Sequence, residues 1–96
     1  MRDKCHLFFE TLGTGLKIDL IFQLKKRPLS VKQLSENLKE ERSKVSHALI
    51  SLLECGLVRV KKEGKSRIYF LNKDTILPLL NLVEKHIKKY CKICKK

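Results

Sequence analysis

A mainly helical domain with one small β-hairpin (α+β) is the fold class this sequence predicts, and three observations predict it. Aliphatic residues recur at helical spacing over most of the 96 residues, while aromatics make up 6% and Trp is absent, a composition that suits an aliphatic helical core better than an aromatic-rich sandwich. Residues 57–61 and 67–71 read as alternating strands on either side of Glu63-Gly64-Lys65-Ser66, which reads as a turn. The stretch 29–56 reads as two helices joined by a tight polar turn. The length suits one domain, 1–96, with an adequate core and no room for a second.

Residues 3–12 read as a short helix with Leu7, Phe8 and Leu12 on its apolar side, stopped by Gly13-Thr14-Gly15. A second helix, 16–27, carries Ile18, Leu20, Ile21, Phe22 and Leu24, more apolar residues than one face needs, which places it at the centre of the domain. Pro28 ends it, because the residue before a proline is pushed out of the helical region. Ser30 then opens a third helix with a capping box: its hydroxyl can accept from the Gln33 amide while the Gln33 side chain reaches back. Leu29 and Leu34 stand where a hydrophobic staple would be, and Val31, Leu34 and Leu38 point inward.

The fourth helix carries most of the functional argument. Val45, Ala48, Leu49, Leu52 and Leu53 form a complete amphipathic stripe. At about 100° per residue, Ser43 and His47 point almost opposite that stripe, with Lys44, Ser46 and Ser51 flanking them. A small, polar and basic face of this kind suits a helix that enters the major groove of DNA, with Arg42, Ser43, Lys44, Ser46 and His47 as the expected contacts. Glu40-Glu41 form the turn and complement the positive amino end of the helix. Gly56 is a stop of the left-handed type, giving a helix–turn–helix at 30–55. In the hairpin that follows, 57–71, Val58, Val60, Ile68 and Phe70 are expected to face the helices, and Arg59, Lys61, Arg67 and Tyr69 to face out. A last helix, 74–94, accepts Pro78 in its first turn and presents Ile76, Leu79 or Leu80, Val83, Ile87, Tyr90 and Cys94. So long an apolar face, with the first helix beside it, is expected to pack against a second copy of the chain.

Net charge supports the same partner. The chain carries +12, and the charge is local: the first 24 residues are neutral overall, whereas Arg59, Lys61, Lys62, Lys65 and Arg67 meet only Glu63, and the six lysines of 85–96 meet no acid. A basic hairpin beside a helix–turn–helix points to phosphate contacts, with Lys61, Lys62, Lys65 and Arg67 positioning the protein on double-stranded DNA. Enzyme chemistry is not expected: there is no Gly-rich phosphate loop, no pair of acids in a plausible cleft and no nucleophile with an evident base. No apolar run approaches the roughly 20 residues a membrane helix needs, and 1–9 lacks a secretory signal core, so a cytoplasmic protein without membrane contact is expected.

Taken with specific residues, this order of elements resembles the ArsR-type winged-helix repressors. Leu12-Gly13, Lys17-Ile18 and Leu20-Ile21 are similar to the family's LGxxxRLxIL segment with Lys for Arg, and Leu29-Ser30-Val31 with Leu34 is similar to LSVxxL. Ser43-Lys44-Val45-Ser46-His47-Ala48-Leu49 resembles STVSHHL, and Leu52-Leu53-Glu54-Cys55-Gly56-Leu57-Val58 resembles LxxAGLV. The resemblance implies a winged helix–turn–helix fold, a homodimer through the first and last helices, and a repressor whose two recognition helices enter successive major grooves of an inverted repeat, about 34 Å apart. Two sensor motifs of such repressors are not carried over. The third helix reads QLSENLKE without a Cys-x-Cys, and of the zinc pair on the last helix only Glu84 and His86 hint at one half.

Four cysteines in a reducing compartment are read as packing residues, metal ligands or redox sensors rather than as bridges. Cys55 is expected to be a buried hydrophobe. Cys91 and Cys94, three apart on the last helix, together with Cys5 and His6 on the first, offer the ligand set that Zn, another soft metal or arsenite takes, possible across a dimer. Incidental thiols and a thiol redox switch stand as the other readings. The functional expectation is a sequence-specific DNA-binding transcriptional regulator, a homodimeric repressor on an inverted repeat, with a metal, metalloid or redox input through the terminal cysteines as one of the readings of those thiols; a winged-helix protein-interaction or architectural module without an effector is the alternative.

Overall fold

The structure is a computed structural model in which residues 2–93 are described. Five helices and three short strands follow in the order α1 (Arg2–Leu12), α2 (Gly15–Lys26), β1 (Leu29–Ser30), α3 (Val31–Leu38), α4 (Arg42–Glu54), β2 (Val58–Glu63), β3 (Ser66–Leu71) and α5 (Ile76–Lys89). Helix α2 is capped by the Thr14 hydroxyl, which accepts from the Lys17 amide at 3.4 Å. Its Leu20, Ile21 and Leu24 are buried, and they meet Leu34 of α3, Val45, Ala48, Leu49 and Leu52 of α4, and Leu57 and Val58 at the entrance to the hairpin. Ile76 and Leu80 of α5 close this core from the carboxyl end. No charged or polar side chain is buried among the described residues.

The expected capping box is present: Gln33 N donates to Ser30 Oγ at 3.2 Å and Ser30 N donates to Gln33 Oε1 at 2.9 Å. Gly56, at φ 74°, ends α4 in the left-handed region that a side chain would strain.

Several expectations are corrected. The sheet has a third strand, because Leu29 and Ser30 pair antiparallel with Tyr69 and Ile68, giving the order β1-β3-β2. The outward and inward residues of β3 are exchanged: Tyr69 and Leu71 are buried against the helices, while Ile68 and Phe70 lie on the other face. The turn decides this. Glu63 pairs with Ser66 across Gly64-Lys65, so Val58 stands opposite Leu71 and Val60 opposite Tyr69, and directly opposed residues share a face. Facing Val60 with Ile68 would need a one-residue slip of the whole hairpin. Gly64, at φ 59°, supplies the positive φ at the first central position that such a two-residue turn requires.

At the ends of the chain, α1 buries no residue, Leu7 is 61% exposed, and only Phe8 and Leu12 pack on the core. Helix α2 is central on one side only, since Phe22 is exposed. Helix α5 stops at Lys89 instead of continuing to 94; Tyr90 N donates to His86 O at 2.8 Å, and Cys91 follows outside the helix. Cys94 lies outside the described residues. Cys55, expected inside, is exposed, with its thiol 3.4 Å from Thr11 Oγ1.

Candidate nucleic-acid interface

Helix α4 is held by its buried stripe, so its remaining faces are set by helix geometry. Val45, Leu49 and Leu52 are fully buried and Ala48 nearly so. Ser43 and His47, about 160–200° around from Val45, are accordingly exposed. Arg42 and Ser46 turn to one flank, where they line a cleft shared with the hairpin. Lys44 turns to the other flank, with its Nζ 4.0 Å from Glu40 Oε2 in an exposed pair that contributes little. Ile50, nearly half exposed and about 140° around from Val45, between Ser46 and His47, is a contact candidate that the sequence reading passed over.

The approach of α3 to α4 is fixed by hydrogen bonds in the turn. Ser35 Oγ donates to Glu40 O, Glu40 N donates to Ser35 O at 3.1 Å, and Lys39 takes the left-handed conformation at φ 55°. Asn37 Nδ2 donates to Gln23 Oε1 at 3.1 Å, which ties α3 to α2. The amino end of α4 has no side-chain cap; the carbonyl of Glu41 accepts from Val45 N at 3.1 Å, and the two acids of the turn complement the helix dipole.

In the hairpin every residue from 61 to 67 is exposed. The register separates its cations. Lys62 stands opposite Arg67 on the face that carries Val60 and Tyr69, toward the helices; Lys61 stands opposite Ile68 on the far face and pairs with Glu63 at 3.4 Å. The structure therefore brings Arg42, Ser46 and Arg67 together and holds Lys61 apart from them. Their meeting place is an open cleft of about 420 Å³ between the start of α3, the start of α4 and β3, lined by Ser30, Val31, Lys32, Arg42, Ser46, Ser66, Arg67 and Tyr69. Lys32, Ser66 and Tyr69 were missed by the sequence reading. Lys32 stands at the second position of α3, where it reads as an ordinary solvated residue, and Tyr69 was assigned to the wrong face.

The terminal thiols are not gathered in this way. Cys5 is exposed on α1 and Cys91 is half-buried beyond α5. Glu84 is drawn to Lys25 at 2.8 Å, and His6 lies 3.3 Å from Glu10. Among the described residues no three His, Cys, Asp or Glu side chains stand close enough to hold one metal ion. No helix among them is long and apolar enough to cross a membrane.

Residues 15–60 match the sequence profile of the family described as bacterial regulatory protein, arsR family. Over 72 residues the chain is 35% identical to the HTH-type transcriptional regulator NmtR of Mycobacterium tuberculosis; the match takes in 75% of this chain and 60% of that protein, less than two thirds of the relative's length. Among solved structures, Rv0081 of M. tuberculosis superposes with a TM-score of 0.82 at 27% identity, covering 92% of this chain and 88% of that one. The homodimeric winged helix-turn-helix DNA-binding domain Mb0332 of Mycobacterium bovis, a possible ArsR-family transcriptional regulator, superposes with a TM-score of 0.83 at 20% identity, covering 91% and 81%. The fold is thus a winged helix–turn–helix, with β2 and β3 as its wing. The profile match is confined to residues 15–60, and the fold is shared with these solved structures over nearly the whole chain.

Proposed function

The chain carries, over residues 15–60, the helix–turn–helix domain of the ArsR family of bacterial regulatory proteins, and on that premise we propose that the protein is a sequence-specific, DNA-binding transcriptional regulator acting as a homodimeric repressor on an inverted repeat. The observation that carries this reading is the shared border of α4 and the wing: Arg42 and Ser46 on the flank of α4 and Ser66 and Arg67 of the hairpin line the same cleft, with no acid lining it. Ser43, Ser46 and His47 read base edges; Arg42, Lys44, Lys62, Lys65 and Arg67 hold phosphates, and Lys61 contributes to the general positive field from the far face. In vitro selection of DNA bound by the full chain tests this. Enrichment of an inverted repeat with half-sites one helical turn apart is the expected outcome; binding without any sequence preference would instead make the protein an architectural or protein-interaction module.

The second copy is argued from an apolar groove of about 320 Å³ between α1, α2 and α5, with Phe9, Ile18, Phe22, Leu79, Val83 and Ile87 among its walls. Phe9, Phe22 and Val83 are exposed in the single chain, and another copy of α1 and α5 would cover them. Among one copy's described residues, which do not include Cys94, no three ligands stand together, and a soft-metal input, Zn or a metalloid, is proposed with ligands from two copies. Cys5, Cys91 and Cys94 are the thiols it would use. Zinc titration of the reduced dimer, read as release of DNA, tests that input; unchanged release in the Cys91→Ser, Cys94→Ser double variant removes it.

A further inference from the structure

Lys32, Arg42 and Arg67 belong to three different elements, yet all three border the cleft between α3, α4 and β3. No acidic side chain lines that cleft, and among the described residues none of the three cations makes an ion pair. Three like charges around one cleft repel each other in the free protein, and an anion seated between them reverses the sign of the interaction. The rest of the lining suits an oxygen-rich anion. Ser30, Ser46 and Ser66 contribute hydroxyls, the buried Tyr69 forms a wall, and the first residues of the eight-residue α3 bring the positive end of a helix to the same place. The volume, about 420 Å³, is ample for a phosphodiester group, and the cleft is open enough for the strand to pass through.

We infer that this cleft seats a single backbone phosphate of DNA, gripped jointly by the start of α3, the recognition helix and the wing. Arg42 and Arg67 then act on the same phosphate, and Lys32 is a third ligand of it. The inference rests on the DNA-binding reading and adds to it a coupling: the wing and the recognition helix are clamped to one point of the backbone, which fixes the angle at which α4 enters the groove.

The test uses the full chain, a duplex of mixed sequence, and the variants Lys32→Ala, Arg42→Ala, Arg67→Ala and their triple combination, each checked for an unchanged thermal unfolding curve. A single shared phosphate predicts that the triple variant flattens the dependence of log affinity on log salt by about 0.9 in total, and that its loss of affinity is smaller than the product of the three single losses. A total flattening of about 2.7, with multiplicative losses, would mean three separate phosphates and would overturn the shared seat. Unchanged slopes in the triple variant, with the Lys62→Ala, Lys65→Ala control still flattened, would overturn the cleft while leaving DNA binding intact. Should the wild-type chain bind no duplex at all, the DNA reading fails, and inorganic phosphate decides the cleft by itself: amide shifts confined to residues 30–32, 42–46 and 66–69, abolished in the triple variant, support an anion seat, and their absence overturns it.

Discussion

Ser43 and His47 occupy the middle of the exposed face of α4, whereas Ser46, one position before His47, is half-buried at the edge of the wing cleft. Their roles differ accordingly. On the proposed reading, His47 would reach outward to a base edge from the centre of the face, and Ser46 would meet a base only along the flank shared with Arg42. Replacing either by Ala should cost on the order of 1–3 kcal/mol on a selected operator and less on a scrambled duplex, measured as paired binding isotherms at one salt concentration. Equal losses on both duplexes would reduce the two side chains to backbone contacts. At this scale the exposure of Ser43, Lys44 and His47 was legible in the sequence, because 100° per residue from a clear apolar stripe assigns it, while Ile50 was passed over. The place of Lys32 was not legible, since nothing in the local pattern of α3 tells that its second residue borders another helix and a strand.

Among the elements, α3 and the end of α4 depend on two residues whose chemistry is local. Ser30 closes the capping box with Gln33, and Ser30→Ala should lower the unfolding free energy by about 0.5–2 kcal/mol. Gly56 holds φ 74° where α4 turns into the wing, so Gly56→Ala should cost about 1–2 kcal/mol even though its added methyl meets no neighbour within 4 Å. Urea unfolding of both variants checks these values; a Gly56→Ala protein as stable as the parent would mean that the turn relaxes to another conformation. Both features were readable because caps and stops are written in short stretches of chain. The wing was readable as a hairpin but not as to its faces. Ile68, Tyr69, Phe70 and Leu71 are all apolar, so alternation alone accepts either parity, and only the pairing of Glu63 with Ser66 selects the one that buries Tyr69 and Leu71.

For the whole molecule, the groove between α1, α2 and α5 determines what the single chain leaves unfinished. Phe22 is on the central helix and still 39% exposed, and Val83 on α5 is 45% exposed beside the same groove. A Phe22→Glu, Val83→Glu variant should sediment as a monomer at concentrations where the parent is a dimer, and should bind one half-site without cooperativity across the repeat. A parent that is itself monomeric at those concentrations would remove the homodimer from the proposal. The pair between Lys25 and Glu84, 2.8 Å apart and bordering this groove, ties α5 to α2, so the angle of α5 is coupled to the helix that packs on α4.

By itself the sequence determined the helical elements, their caps and stops, the apolar stripe of α4 and the basic hairpin, since each is a property of periodicity or of a few adjacent residues. Tertiary structure decided what depends on residues far apart in the chain. It added Leu29 and Ser30 to the sheet as a third strand, left Cys55 exposed, and brought Lys32, Arg42 and Arg67 to one cleft. The physical reason is common to all three. A local pattern states that a residue has an apolar or a charged side, and only the packing of elements states which neighbour that side meets.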